Sequence, residues 1–198
     1  MKTLSNILIF VFSIALFHAC NSTQITQTTP ETEVNTTECI DSLALQLQHL
    51  DSITNCGNLI HMDIYQIGKL SSIEVSVQSV DDGDTSLKYI NFRKDCGNDY
   101  YYSWEDARLM PAECQYLISA IETIKSNLER TTDHEERYAY ITKDDIRVFA
   151  HNNSGENWKI SFSIDFRKEK AEIYLSEANL DKLISLIQSS LAKIEELD

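Results

Sequence analysis

Apolar residues along this chain change period twice, in the same order both times. Ile73-Val75-Val77, Ile146-Val148-Ala150 and Trp158-Ile160-Phe162-Ile164-Phe166 alternate with other residues, and a period of two puts every second side chain on one buried face of a strand. Each alternating group then gives way to a helical stripe. Cys114, Leu117, Ile121, Ile124 and Leu128 form the first, after Pro111, and Leu180, Leu183, Ile184, Ile187, Leu191 and Ile194 form the second, after Ser176. Proline suits the first position of a helix and serine the N-cap. Strands are expected near 59–67, 72–80, 86–95 and 100–109, then near 137–142, 145–151, 157–168 and 170–175. Sheets with one apolar face need a cover, and two amphipathic helices supply it, so the fold class is α+β.

The two groups read as copies of each other. Phe92-Arg93-Lys94 matches Phe166-Arg167-Lys168 at an offset of 74, Ile73-Glu-Val matches Ile146-Arg-Val at 73, and Leu117-Ile118-Ser119 matches Leu183-Ile184-Ser185 at 66. The first copy therefore carries about eight extra residues, placed between its last two strands. Tandem antiparallel ββββα units, 57–132 and 133–198, are expected to share one sheet with both helices on one face. Ile40, Leu43, Leu47 and Leu50 add a short N-terminal helix over 39–56, and 39–198 form one globular domain. This ββββα order resembles the Whirly and coactivator-type single-stranded-DNA-binding folds, and the resemblance implies an architecture only. Formal net charge is −14, which opposes binding to a polyanion, so nucleic acid is excluded as a partner.

Residues 1–19 have the layout of an export signal, with one charge at Lys2, an apolar run from Ile7 to Phe17, and a small residue before Cys20. The run is too short for a membrane span, which needs about 20 apolar residues. Ala19-Cys20 resembles the lipobox of bacterial lipoproteins, with Phe17 and His18 standing in the two preceding places. That resemblance implies cleavage before Cys20, acylation of its thiol and attachment to a membrane of the cell envelope. Cys20 opens a tether over 20–38, whose remainder, NSTQITQTTPETEVNTTE, lacks aromatic and basic residues and would span roughly 25 Å as a coil. No lysine or arginine lies between Lys2 and Lys69, so attachment would rest on acyl chains rather than on basic residues.

With Cys20 assigned to lipid, Cys39, Cys56, Cys96 and Cys114 remain. An even number in an exported chain reads as two disulfides. Cys39 and Cys56 flank one expected helix, with ends roughly 25 Å apart, too far to bridge each other. Cys56–Cys96 and Cys39–Cys114 are the favoured pairs. No CxxC occurs and the mature histidines are dispersed, so no metal site and no cofactor is expected.

A binding surface is expected on the hairpin that carries the extra residues. Its tip is Asp95-Cys96-Gly97-Asn98-Asp99, and its returning arm holds Tyr100, Tyr101, Tyr102 and Trp104. Four residues added per arm would project it roughly 13 Å further than its counterpart. Tyr100, Tyr102 and Trp104 suit a protein or glycan partner, or pack beneath the N-terminal helix as ordinary strand aromatics. Asp81-Asp82-Gly83-Asp84 reads as a hairpin turn rather than a calcium loop, and Asp133-His134-Glu135-Glu136 as a solvated linker. Glu105 and Asp106 are adjacent on a strand, hence on opposite faces, and do not form an acid–base pair. The sequence carries no nucleophile elbow, HExxH or phosphate-gripping loop. The functional expectation is a lipid-anchored, non-catalytic binding module of the envelope. The alternatives are an envelope hydrolase with an unrecognised acid–base pair and a structural subunit of an envelope complex.

Overall fold

A computed structural model describes residues 36–55, 60–81, 83, 85–97, 103–130, 132–154 and 156–198, with side chains of the first helix described over 43–52. All of these lie in the compact unit Asn35–Asp198. The order is α1 (Thr36–Asn55), β1 (His61–Leu70), β2 (Ile73–Asp81), β3 (Ser86–Asp95), β4 (Trp104–Leu109), α2 (Pro111–Asn127), β5 (Glu136–Ile141), β6 (Arg147–Asn152), β7 (Lys159–Ser163), a 3-10 turn (Glu169–Ala171), β8 (Glu172–Leu175) and α3 (Glu177–Glu196). The class is α+β with two antiparallel meanders. Pro111 opens α2 at its first turn, and Ser176 takes the N-cap of α3 with extended backbone, although its hydroxyl makes no capping bond.

The strands form two sheets, β1-β2-β3-β4 and β5-β6-β7-β8, rather than one shared sheet. What the halves share is a core. Phe92 and Phe162 meet at 5.5 Å between ring centroids, inside one apolar cluster that draws on both sheets and on α2 and α3. The outer edge of β4 is closed to further strands, because the backbone N–H of Arg108 donates to Asp144 Oδ2 at 2.7 Å, in the β5–β6 turn. A carboxylate from the second half thus satisfies a donor that a ninth strand would otherwise need. The helices cross over between halves: α3 follows the second sheet yet lies against β1, β2 and β3, while α2 reaches from β3 to β5.

Register corrects the alignment of the copies. Val75 faces Phe92 in the first sheet and Val148 faces Phe162 in the second, so Phe92 corresponds to Phe162 and not to Phe166. The offset is 73 at β2, 70 at β3 and, with Ala107 and Ile173 opposite those rings, 66 at β4 and onward through the helix. The extra residues are therefore seven, three before β3 and four between β3 and β4. The last two strands pair over Ile90–Asp95 with Leu109–Trp104, against Ile160–Ser163 with Leu175–Glu172. Each arm gains two residues rather than four, about 7 Å. Phe166 is exposed because β7 stops at Ser163: the N–H of Ile164 donates to Ala171 O, and that of Lys168 to Asp165 O closes a turn.

Candidate functional site

The side of β3 and β4 turned away from the shared core carries Tyr89, Asn91 and Arg93 beside Trp104, Asp106 and Arg108, by the two-residue alternation of both strands. Arg93 stands opposite Asp106, and Asn91 opposite Arg108. Asp106 organises this surface. It accepts from Arg93 Nε at 2.9 Å and from Asn91 Nδ2 at 3.1 Å, and the guanidinium so held lies 5.2 Å from the Trp104 ring centroid. Trp104 remains 46% exposed, while Asn91 is buried. A cation over one face of an exposed ring favours one orientation of that ring. Planar donors and acceptors sit next to it, the arrangement that orients a sugar hydroxyl or a peptide group.

Other parts of the molecule fix the hairpin that bears Trp104. Lys94 Nζ donates to Glu172 O at 2.9 Å, and Lys168 Nζ bonds Glu105 Oε2 at 2.6 Å. Glu105 thus serves the seam between hairpins, while Asp106, its neighbour, serves the opposite face. Cys96 N donates to Ser103 O at 2.7 Å, and the N–H of Gly97 to Asp95 Oδ1 at 2.8 Å. Burial raises the Cys96 thiol pKa, and the nearby Lys94 pulls the other way.

Above this surface, α1 lays Leu43, Leu47 and Leu50 on Val80, Tyr89 and Met110. Arg108 links the layers: Nη2 and Nε bind Asp144 at 3.0 and 3.1 Å, and Nη1 binds Asp51 of α1 at 2.6 Å. A bidentate bond to Asp144 is the largest cause of the raised Arg108 pKa. Nearby, Glu113 is 5% exposed. Its Oε1 accepts from Lys143 N at 2.8 Å, and its Oε2 is buried without a partner. Burial raises its pKa, with the Lys143 backbone bond opposing.

Of the three aromatic residues singled out by sequence, Trp104 is on the exposed surface, and Tyr100 and Tyr102 lie outside the described residues. Cys20 lies outside them too, as do the side chains of Cys39 and Cys56. Cys96 and Cys114 carry free thiols in this structure. They are not bonded to each other; Cys114 is fully buried in the core cluster, and burial pushes its thiol up to about 12. At the β2–β3 turn, Gly83 adopts φ +94° and its N–H donates to Asp81 Oδ1 at 2.7 Å, while Asp82 and Asp84 lie outside the described residues. His134 bonds Asp133 at 2.9 Å, and Glu135 bonds Arg137, on solvent-exposed side chains. Among the described residues no three His, Cys, Asp or Glu gather as metal ligands.

Sequence reading missed Asn91, Arg93 and Asp106. The sequence marks Arg93 only as part of a repeat and Asp106 only as a neighbour of Glu105, and the β3–β4 register is what brings all three around one tryptophan. No family model, curated protein or solved structure matches the chain.

Proposed function

We propose that this chain is a lipid-anchored protein of the bacterial cell envelope whose domain is a non-catalytic binding module for a protein or a glycan. The observation that carries the binding role is Trp104, exposed on a long hairpin and held by the Arg93–Asp106 pair. Envelope attachment is supported by the sequence alone, through the signal-like segment and Cys20. Among the described residues no helix is long and apolar enough to cross a membrane. The tandem ββββα units are read as a duplication, supported by the offsets of 73, 70 and 66 that follow the strand register.

Binding is tested with the full chain and the Tyr102→Ala, Trp104→Ala double variant, each expressed in its own host and purified after mild chemical cross-linking of whole cells. The double variant is expected to lose the partner that cross-links to the parent while its thermal midpoint moves by the equivalent of under about 1 kcal/mol. Equal cross-linking would remove the site, and unfolding of the double variant would make these rings core.

A further inference from the structure

The crossed helices treat the outer strands of the two sheets differently. At the first sheet, a Cβ added to Gly68 would stand 2.8 Å from Leu186 Cδ2, and Lys193 Nζ lies 4.8 Å from the Tyr65 ring centroid. There α3 is closed down on β1. At the second sheet the sizes are reversed. Ala120 corresponds to Leu186 by the helix offset, and Tyr140, which faces Val148 as Gly68 faces Val75, corresponds to Gly68. A groove of about 160 Å³ stays open between α2 and β5, lined by Ala120, Thr123, Ile124, Tyr138, Ala139 and Tyr140.

We propose that this groove is a strand-addition site: an extended, cationic peptide pairs with the outer edge of β5 and lowers one apolar side chain between α2 and the two tyrosines. The backbone argument comes first. β5 ends its sheet, so alternate N–H and C=O groups point away from the ladder, and an extended chain is the partner that satisfies such a row. An added strand would lie about 4.8 Å beyond β5. Every second side chain would then share the face of Tyr138 and Tyr140, the face that α2 overhangs. Volume selects what enters, because an apolar cavity of about 150 Å³ accommodates a benzene ring, so the groove holds one leucine- or phenylalanine-sized group. Charge selects what flanks it. Residues 129–137 carry Glu129, Asp133, Glu135 and Glu136 against Arg130 and Arg137, so the stretch that runs into β5 is net acidic by two. Both arginines are already paired, Arg130 with Glu136 and Arg137 with Glu135, and the Asp133 carboxylate bonds His134. Lysine or arginine beside the apolar residue complements that surface. This site lies apart from the Trp104 surface and goes beyond the binding role assigned to it.

The test uses a fluorescein-labelled peptide, Lys-Thr-Val-Thr-Leu-Thr-Val-Lys, with the full chain. Three controls are a Leu→Asp peptide, a peptide N-methylated at alternate backbone amides, and the Ala120→Leu protein, in which the groove is filled from the helix side as Leu186 fills its counterpart. Fluorescence polarisation is expected to show saturable binding below about 1 mM, weakened at least about tenfold by each control. The Ala120→Leu protein should keep or raise its thermal midpoint. No binding by the parent, or equal binding by Ala120→Leu, overturns the site. Equal binding of the N-methylated peptide shows an apolar pocket without strand pairing and overturns the proposal as well. A monomer–dimer equilibrium that Ala120→Leu abolishes would make a second copy the occupant, and overturn the peptide.

Discussion

Glu113 shows how much one buried side chain can say about pH. Its Oε2 has no partner, and burial raises its pKa above the ordinary carboxylate value. A carboxyl whose folded pKa is raised is ionised at a cost above that pKa and relieved as pH falls through it. Glu113→Gln keeps an oxygen for the Lys143 N–H and removes the charge. The variant is expected to be more stable than the parent by about 1 kcal/mol at pH 7, with the advantage shrinking as the parent protonates on acidification. Urea unfolding at several pH values measures it, and an advantage that grows on acidification would contradict this account. Asp165 behaves in the opposite sense. Burial disfavours its ionised form, but the Arg167 backbone and side chain with Lys168 outweigh burial and lower its pKa. Its contribution is therefore present above the unfolded-state pKa and fades on acidification below it. None of this is legible in the sequence, where Glu113 is one acid in a helix's first turn. Burial comes from the Thr142–Ile146 turn, thirty residues away, settling over it.

At the scale of elements, periodicity carried most of the fold. Alternation marked β2, β6 and β7, the other strands lie near their expected places, and the helical stripes located α2 and α3, because both patterns record which side faces the core. Four things escaped it, the first being that the eight strands make two sheets rather than one. The strand ending at Ser163 was expected to run to 168, since Ile164 and Phe166 continue the alternation. The Asp165–Lys168 turn, tied by Arg167 and Lys168, breaks it instead. The repeat aligns Phe92 with Phe162 and not with Phe166, because the ladder sets the register and three matching letters do not. The crossing of the helices was also hidden, since an apolar stripe does not say which sheet it covers. Gly68 is the residue that makes the crossing possible. Gly68→Ala is expected to lower stability by about 1 kcal/mol through contact with Leu186, and the loss should disappear when the substitution is made in a Leu186→Ala protein. A loss of equal size in both backgrounds would place its cause elsewhere than in this contact.

For the whole molecule, one core and helices that bridge both sheets mean that the halves stand or fall together. The chain has two tryptophans, Trp104 in the first sheet and Trp158 beside Tyr138 in the second half. Single-tryptophan proteins, made by Trp158→Phe and Trp104→Phe, are expected to report coincident urea transitions relative to the circular-dichroism curve of each variant. Separate fluorescence and circular-dichroism midpoints would mean that the halves fold independently. Charge acts at this scale too. The chain's net −14 falls mostly on residues 39–198, where it disfavours polyanions and favours cationic partners at distances within about 8 Å at physiological salt. Attachment and binding then divide along the chain, the first 38 residues being read as address and tether and the remainder as the module presented. The address is tested most directly by the intact mass of the mature chain extracted from native membranes. The result expected is a chain that begins at Cys20 and carries acyl mass, and an unacylated chain, or one that retains residues 1–19, would contradict it.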